Sequence, residues 1–237
     1  MKTAPDSVFD HARAAFAAAG QTLPNVRRDF PEWHRGRPRY ALWALDVDIP
    51  AVRHAVAAAE THLAGRLLAG YRRQPHVTLG LCGFPTGDPR HPDDFGPAAL
   101  AAQLDALHAL GTSPFDVEIG RLASFSSAPF LAVADPAGSI AGLRRALSPH
   151  DAPGGPYTPH VTIGLFAGAW PTADIQRQLD AFAAGPALRC RIDGVSLMSY
   201  AAPEIGGPLA TLAEFSFTTR RLAWHDPQLP AVFGASL

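Results

Sequence analysis

Pro75-His76-Val77-Thr78-Leu79-Gly80-Leu81 returns 84 positions later as Pro159-His160-Val161-Thr162-Ile163-Gly164-Leu165, with one Leu-to-Ile difference. In a strand, side chains at i and i+2 share a face. The pattern therefore predicts His76, Thr78 and Gly80 on one face, with Val77, Leu79 and Leu81 packed into a core on the other. The second copy predicts the same for His160, Thr162 and Gly164 against Val161, Ile163 and Leu165. A one-residue slip would bury the polar face, which fixes the register. Proline is tolerated at a strand start or edge, so each His is expected near a strand end. Glycine on the polar face leaves room for a ligand or a close backbone. A His and a Thr presented twice, once per half, define a two-fold site able to hold one small anionic group.

The flanking sequence reads as two variants of one order. Residues 40–47 form a strand with Ala41, Trp43, Leu45 and Val47 on one face. Pro50 opens a helix carrying Val52, Val56, Ala59, Leu63 and Leu67. After the first motif strand comes a loop rich in Pro, Gly and Asp (83–97). A helix with Leu100, Leu104 and Leu107 follows and ends at Gly111. A hairpin (115–125 and 129–134) and a helix from Asp135-Pro136 with Ile140, Leu143 and Leu147 begin the second half. A Pro/Gly loop (149–159) then leads into the second motif strand. Thr172 is expected to cap a helix with Ile175, Leu179 and Phe182, and two strands, about 187–200 and 209–221, finish the chain. This order indicates internal duplication. It predicts two α+β lobes facing each other with approximate two-fold symmetry.

Residues 1–38 stand apart. Asp6 is placed as the cap of a helix with Phe9, Ala12, Phe16 and Ala19 at helical spacing, stopped by Gly20. Residues 21–38 mix prolines with Arg27, Arg28, Arg35 and Arg37, an irregular basic segment that either folds back over the body or remains a solvated linker.

Composition narrows the function classes. The chain has 237 residues, 47% of them hydrophobic, and a formal net charge of −1. That is enough chain for a substantial core. The charge balance argues against a broad polyanion-binding surface and for a local contact with a nucleotide or a strand end. Positive charge comes from nineteen Arg and one Lys. Cys82 and Cys190 form neither a disulfide framework nor a thiolate metal site. No apolar run is long enough to span a membrane and no leader pattern opens the chain, so a cytoplasmic monomer is expected.

The motif chemistry suits a phosphodiester. Hydrolysis needs one group to take a proton from water and another to give one to the departing alkoxide. An imidazole with a pKa near 6.5 can do either near neutrality. One neutral and one protonated imidazole on opposite sides of phosphorus suit in-line displacement. Two threonine hydroxyls can donate to the non-bridging oxygens. No metal is called for: His-x-Thr gives one good ligand per strand, and nothing at fixed spacing completes a set. Neither a GxSxG elbow nor a glycine-rich nucleotide-phosphate loop occurs. Arg72 and Arg73, just upstream of the first motif, could reach a phosphate, and Tyr157 could stack on a base.

Paired His-x-Thr motifs with apolar neighbours resemble the 2H phosphoesterase superfamily, in particular its 2′-5′ RNA ligase-like or RNA 2′,3′-cyclic phosphodiesterase group. The resemblance spans roughly residues 39–221. It rests also on Leu42-Trp43-Ala44-Leu45 and on Val195 to Phe217, which looks like a closing hairpin. It implies a bilobal α+β fold: pseudo-two-fold duplicated antiparallel sheets with flanking helices around a central cleft. It also implies no cofactor, and a catalytic set of His76, Thr78, His160 and Thr162. Residues 1–38 would be an extension and 222–237 a tail. The expected activity is metal-independent hydrolysis of a 2′,3′-cyclic or 2′,5′-linked nucleotide or RNA phosphodiester. The alternatives are a non-catalytic module that captures terminal phosphates, and a 2′,5′ RNA ligase.

Overall fold

A computed structural model describes residues 4–148 and 157–234, with side chains from residue 8 onward. Most of the expected 149–159 loop therefore lies outside the described residues. Among the described residues ten strands fall into two sheets. Six, β1 (Arg39–Asp46), β2 (His76–Pro85), β3 (Asp94–Phe95), β8 (Gly194–Ala201), β9 (Ala210–Ser216) and β10 (Leu222–Trp224), make a sheet of order β10-β9-β8-β1-β2-β3. The other four, β4 (Phe115–Ser124), β5 (Pro129–Ala134), β6 (His160–Thr162) and β7 (Leu188–Ile192), make a sheet of order β6-β5-β4-β7. All pairings are antiparallel except the short β2–β3 pair. The helices are α1 (Ala4–Ala18), α2 (Pro31–His34), α3 (Pro50–His62), α4 (Pro97–Leu110), α5 (Ser139–Leu147), α6 (Thr172–Asp180) and α7 (Leu229–Val232). Among the described residues no helix is long and apolar enough to cross a membrane.

Alternation in β1 builds the main core. Ala41, Trp43, Leu45 and Val47 are fully buried, and join Val52 and Ala59 of α3 with Leu100 and Leu107 of α4. The Trp43 indole N–H, which would otherwise be an unsatisfied buried donor, reaches Gln103 Oε1 of α4 at 2.8 Å. Leu42 and Ala44 point to the opposite face, where Met198 and Leu209 cover them. Both faces of β1 are thus dry, as suits the strand held between β2 and β8.

Several local expectations are corrected. The first motif strand does not keep a single parity. β1 and β2 pair Ala44 with Thr78 but Trp43 with Gly80, and the register slips again between Ala41 and Leu42. The extra residue at Leu79 is a bulge, and a bulge reverses which face the following residues occupy. Gly80 therefore faces the helix side, where an added Cβ would lie 2.0 Å from Ser148 Oγ and 3.2 Å from the Leu147 carbonyl oxygen. Leu81, assigned to the core by simple alternation, is 59% exposed. The second motif strand ends at Thr162, leaving Gly164 outside it and against Leu67. Thr172 is the first residue of α6, not its cap, and its hydroxyl bonds the Ala17 carbonyl. Helix α1 begins before Asp6, which falls inside its first turn. Residues 222–224 extend the six-stranded sheet, so that sheet continues past residue 221.

The expected strand over 187–200 is two strands in different sheets. β7 pairs with β4, and after Asp193 the chain crosses to pair β8 with β1. Gly194 makes the crossing: a Cβ there would sit 2.4 Å from the Phe215 carbonyl oxygen. Backbone cannot yield as a side-chain tip can. Gly194→Ala is expected to cost about 1–3 kcal/mol, read as a lowered urea midpoint with the m-value unchanged. An unaltered midpoint would contradict this account of the crossing.

Residues 21–38 fold back over both sheets' ends. Thr22 N–H donates to the Trp170 carbonyl, Leu23 N–H to Ser126 and Asn25 N–H to Phe166. The basic residues mostly meet local acceptors. Arg37 binds Asp93 and Asp94 and lies 3.6 Å over the Phe84 ring, Arg28 pairs with Glu32, and Arg27 reaches the Ala69 carbonyl. This segment is a strap, not a charged surface awaiting a polyanion.

Candidate active site

His76 opens β2 and His160 opens β6, and the two strands approach within 8 Å of one another. Each His sits on the face of its sheet away from the helix-packed core. His76 pairs with Asp46 and Thr78 with Ala44 of β1. His160 pairs with Ala132 and Thr162 with Phe130 of β5.

The two imidazoles are anchored alike. His76 Nδ1 lies 2.8 Å from the Gln74 carbonyl oxygen, and His160 Nδ1 lies 2.7 Å from that of Thr158. A carbonyl only accepts, so Nδ1 must carry the proton in both rings. In the neutral state each Nε2 is then left with its lone pair, ready to accept a proton. The Gln-Pro-His and Thr-Pro-His spacing is the sequence form of this anchor: the proline sets the turn, and the residue before it supplies the carbonyl.

Burial pushes the His76 imidazole down to about 4, and the nearby Arg73 and His160 charges push the same way against the Gln74 bond. His160 is also held below the usual imidazole range, first by burial and then by Arg144. The Phe125 ring meets His160 edge-on at 4.9 Å, and Phe130 lies at 5.4 Å. The His160 charge is among those that hold the His76 imidazole down, as expected of groups on neighbouring strands.

Two tyrosines cross between the motifs. Tyr157, just before the second motif, donates its hydroxyl to the Thr78 carbonyl at 2.5 Å. Tyr71, just before the first, lies beside Thr162 of the second, and burial pushes its phenol up to about 12. Each upstream tyrosine thus stands between its own segment and the opposite motif, and Tyr157 ties the two by its hydrogen bond. Arg144 completes the bridge, donating to the Leu79 carbonyl at 2.9 Å while lying 4.1 Å over the Tyr157 ring. Tyr157 is therefore a strut with one ring face already covered by a guanidinium. Tyr71 and Tyr200 escaped the sequence reading because neither belongs to the repeated heptad. The signal that could have found Tyr71 is the presence of a tyrosine shortly upstream of both motifs.

The two arginines before the first motif part ways. Arg72 is exposed and paired with Glu204. Arg73 lies 4.0 Å over the Tyr200 ring and has a buried Nε without a partner. A guanidinium with a donor to spare beside His76 suits an anion. Among the described residues no cluster of three metal-ligating side chains occurs.

Two sheets carrying paired His-x-Thr strands define the two-histidine phosphoesterase class, and comparison with known proteins agrees. The family model described as the 2′-5′ RNA ligase superfamily matches residues 47–204, about two thirds of the chain, and the chain belongs to that family. Among solved structures it is similar to TT0787 of Thermus thermophilus, with 18% identity, a TM-score of 0.50, and coverage of 75% of this chain and 97% of that one. It is also similar to Escherichia coli LigT complexed with ATP, at 16% identity, TM-score 0.49, and coverage of 76% and 98%. No curated protein matches the chain in sequence.

Proposed function

We propose that the chain is a metal-independent phosphodiesterase that opens a 2′,3′-cyclic or 2′,5′-linked nucleotide or RNA phosphodiester. The observation that carries this reading is the matched anchoring of His76 and His160, which turns both Nε2 atoms into exchangeable proton sites on neighbouring strands.

On a cyclic phosphate, the neutral imidazole accepts a proton at Nε2 from water as its oxygen bonds to phosphorus. The bond to one ribose oxygen breaks, and the protonated imidazole gives its Nε2 proton to that oxygen. Breaking the ester bond at the 3′ oxygen leaves a 2′-phosphate and a free 3′-hydroxyl. The two imidazoles have exchanged protonation states, and solvent restores them. Thr78 and Thr162 donate to the non-bridging oxygens, while Arg73 offers the charge that holds the anion. Burial and the arginines favour neutral imidazoles. A bound phosphodiester monoanion reverses that preference and draws in the one proton the reaction needs.

The test is a screen of 2′,3′-cyclic nucleotides and 2′,5′-dinucleotides with a chelator present. Turnover unaffected by chelator is expected. No turnover, with phosphate or nucleotide still bound, would replace the enzyme by a capture module. Activity lost to chelator and restored by zinc would overturn the metal-independent mechanism.

A further inference from the structure

Helix α1 lies outside the residues that match the family, yet it packs on the motif face of the four-stranded sheet. Phe9 and Ala12 cover Ala123 and Phe130, the row of the sheet that leads to Thr162. The adjacent row is built from small residues. Ala132 pairs with His160 on one side, one strand spacing of roughly 5 Å away. On its other side the register of β4 slips between Ile119 and Leu122, placing the Gly120-Arg121 bulge opposite it. A bulge beside a site commonly re-aims a side chain. With Gly120, Ala132 and Ala134 as floor and Phe9 as one wall, a cavity of about 640 Å³ opens next to His160. That is the size range of a small-ligand site.

Its charge indicates what it takes. Arg121, Arg144 and Arg145 stand on its walls. Glu118 and Asp135 also line it, so three guanidiniums face two carboxylates; Asp135 Oδ2 accepts the Ile140 N–H of α5 at 2.6 Å, while its Oδ1 is buried without a partner. Arg121 lies 3.6 Å over the Phe9 ring, so the α1 wall and the cation are held together. Arg144 links the cavity to both motifs through its Tyr157 and Leu79 contacts. A flat, side-chain-poor apolar floor with cations at its rim is complementary to a planar heterocycle carrying a phosphate.

We propose that this cavity binds the nucleoside of the substrate together with a phosphate on its 5′ oxygen, so that the chain selects the terminal nucleotide of a strand, or its 5′-phosphorylated equivalent, over a bare cyclic mononucleotide. The base lies over Gly120, Ala132 and Ala134, and the 5′-phosphate meets Arg121 and Arg145. The inference rests on the phosphodiesterase reading for its orientation toward His160, but the cavity can be tested without turnover.

Calorimetric titration with adenosine 5′-monophosphate and with adenosine provides the first readout. The double variant Arg121→Gln/Arg145→Gln should weaken the monophosphate about tenfold or more and leave adenosine nearly unchanged. Gly120→Leu should weaken both by filling the floor; a Cβ there meets only Ala187 at 3.7 Å, so the fold should tolerate it. The second readout is kcat/KM on a nucleoside 2′,3′-cyclic phosphate with and without a 5′-phosphate. The wild type should prefer the phosphorylated form about tenfold or more, and the double arginine variant should lose that preference. Monophosphate binding insensitive to the arginine variant, or equal kcat/KM for the two substrates, would overturn the proposal while leaving the phosphodiesterase reading intact. Absent turnover with the binding pattern as expected would do the reverse.

Discussion

His76→Asn and His160→Asn should each lower kcat on a 2′,3′-cyclic phosphate by roughly 10²–10⁴-fold. Asparagine is the informative replacement because its side-chain N–H can still meet the Gln74 or Thr158 carbonyl. The anchor then survives while the exchangeable Nε2 proton is lost. KM should change far less than kcat, since proton transfer is needed in the transition state and not for capture. The two losses should not multiply. Once one imidazole is gone the proton circuit is broken, and removing the other costs little more. Steady-state kinetics on both single variants and the double, with melting curves to confirm folding, check this. A variant that retains near wild-type kcat would remove that histidine from the mechanism.

The second large effect is on stability. The His76 pKa is about 4 in the folded chain, against about 6.5 when unfolded. Above pH 6.5 the group is neutral in both states and neither is favoured. Between pH 6.5 and 4 the unfolded chain takes up a proton that the folded chain refuses, so stability falls as the pH falls. Below about 4 both states are protonated and the dependence from this group ends. The linked loss approaches about 3 kcal/mol. His160, shifted the same way, adds to it. Urea denaturation across this range should therefore show a shallower acid loss for His76→Asn than for the wild type. Saturating phosphate should likewise protect the wild type, by favouring the protonated imidazole. Parallel curves for the two proteins would show that His76 is not buried as described.

Much of the fold was legible because it is written in apolar periodicity. Trp43 and its neighbours on β1, the leucines of α4, and Ile175 and Leu179 of α6 all pack where their spacing put them. The His-x-Thr pairing was readable for a different reason: the two copies are nearly identical while their surroundings differ. What failed was parity beyond the third residue. Nothing in Leu79-Gly80-Leu81 announces a bulge, because the bulge is set by how β2 meets β1, a tertiary constraint that a single strand does not encode. The break at Asp193-Gly194 was hidden similarly, since Leu188 to Ala201 reads as one long extended run. Tyr71 was missed, and Tyr157 was read as a stacking surface and not as a strut, because such contacts are remote in sequence, 79 residues for Tyr157 and Thr78. The role of α1 was illegible too: its apolar stripe predicts a helix with a partner, but not that the partner carries His160.

The central claim is that His76 and His160 grip one anion together. Proton NMR of the two imidazole Cε1–H signals, followed through a titration with inorganic phosphate, tests it most directly. Both signals should move along a single binding curve at one equivalent, and both histidines should titrate at higher pH with phosphate bound. Movement of only one signal, or two independent curves, would contradict a shared site.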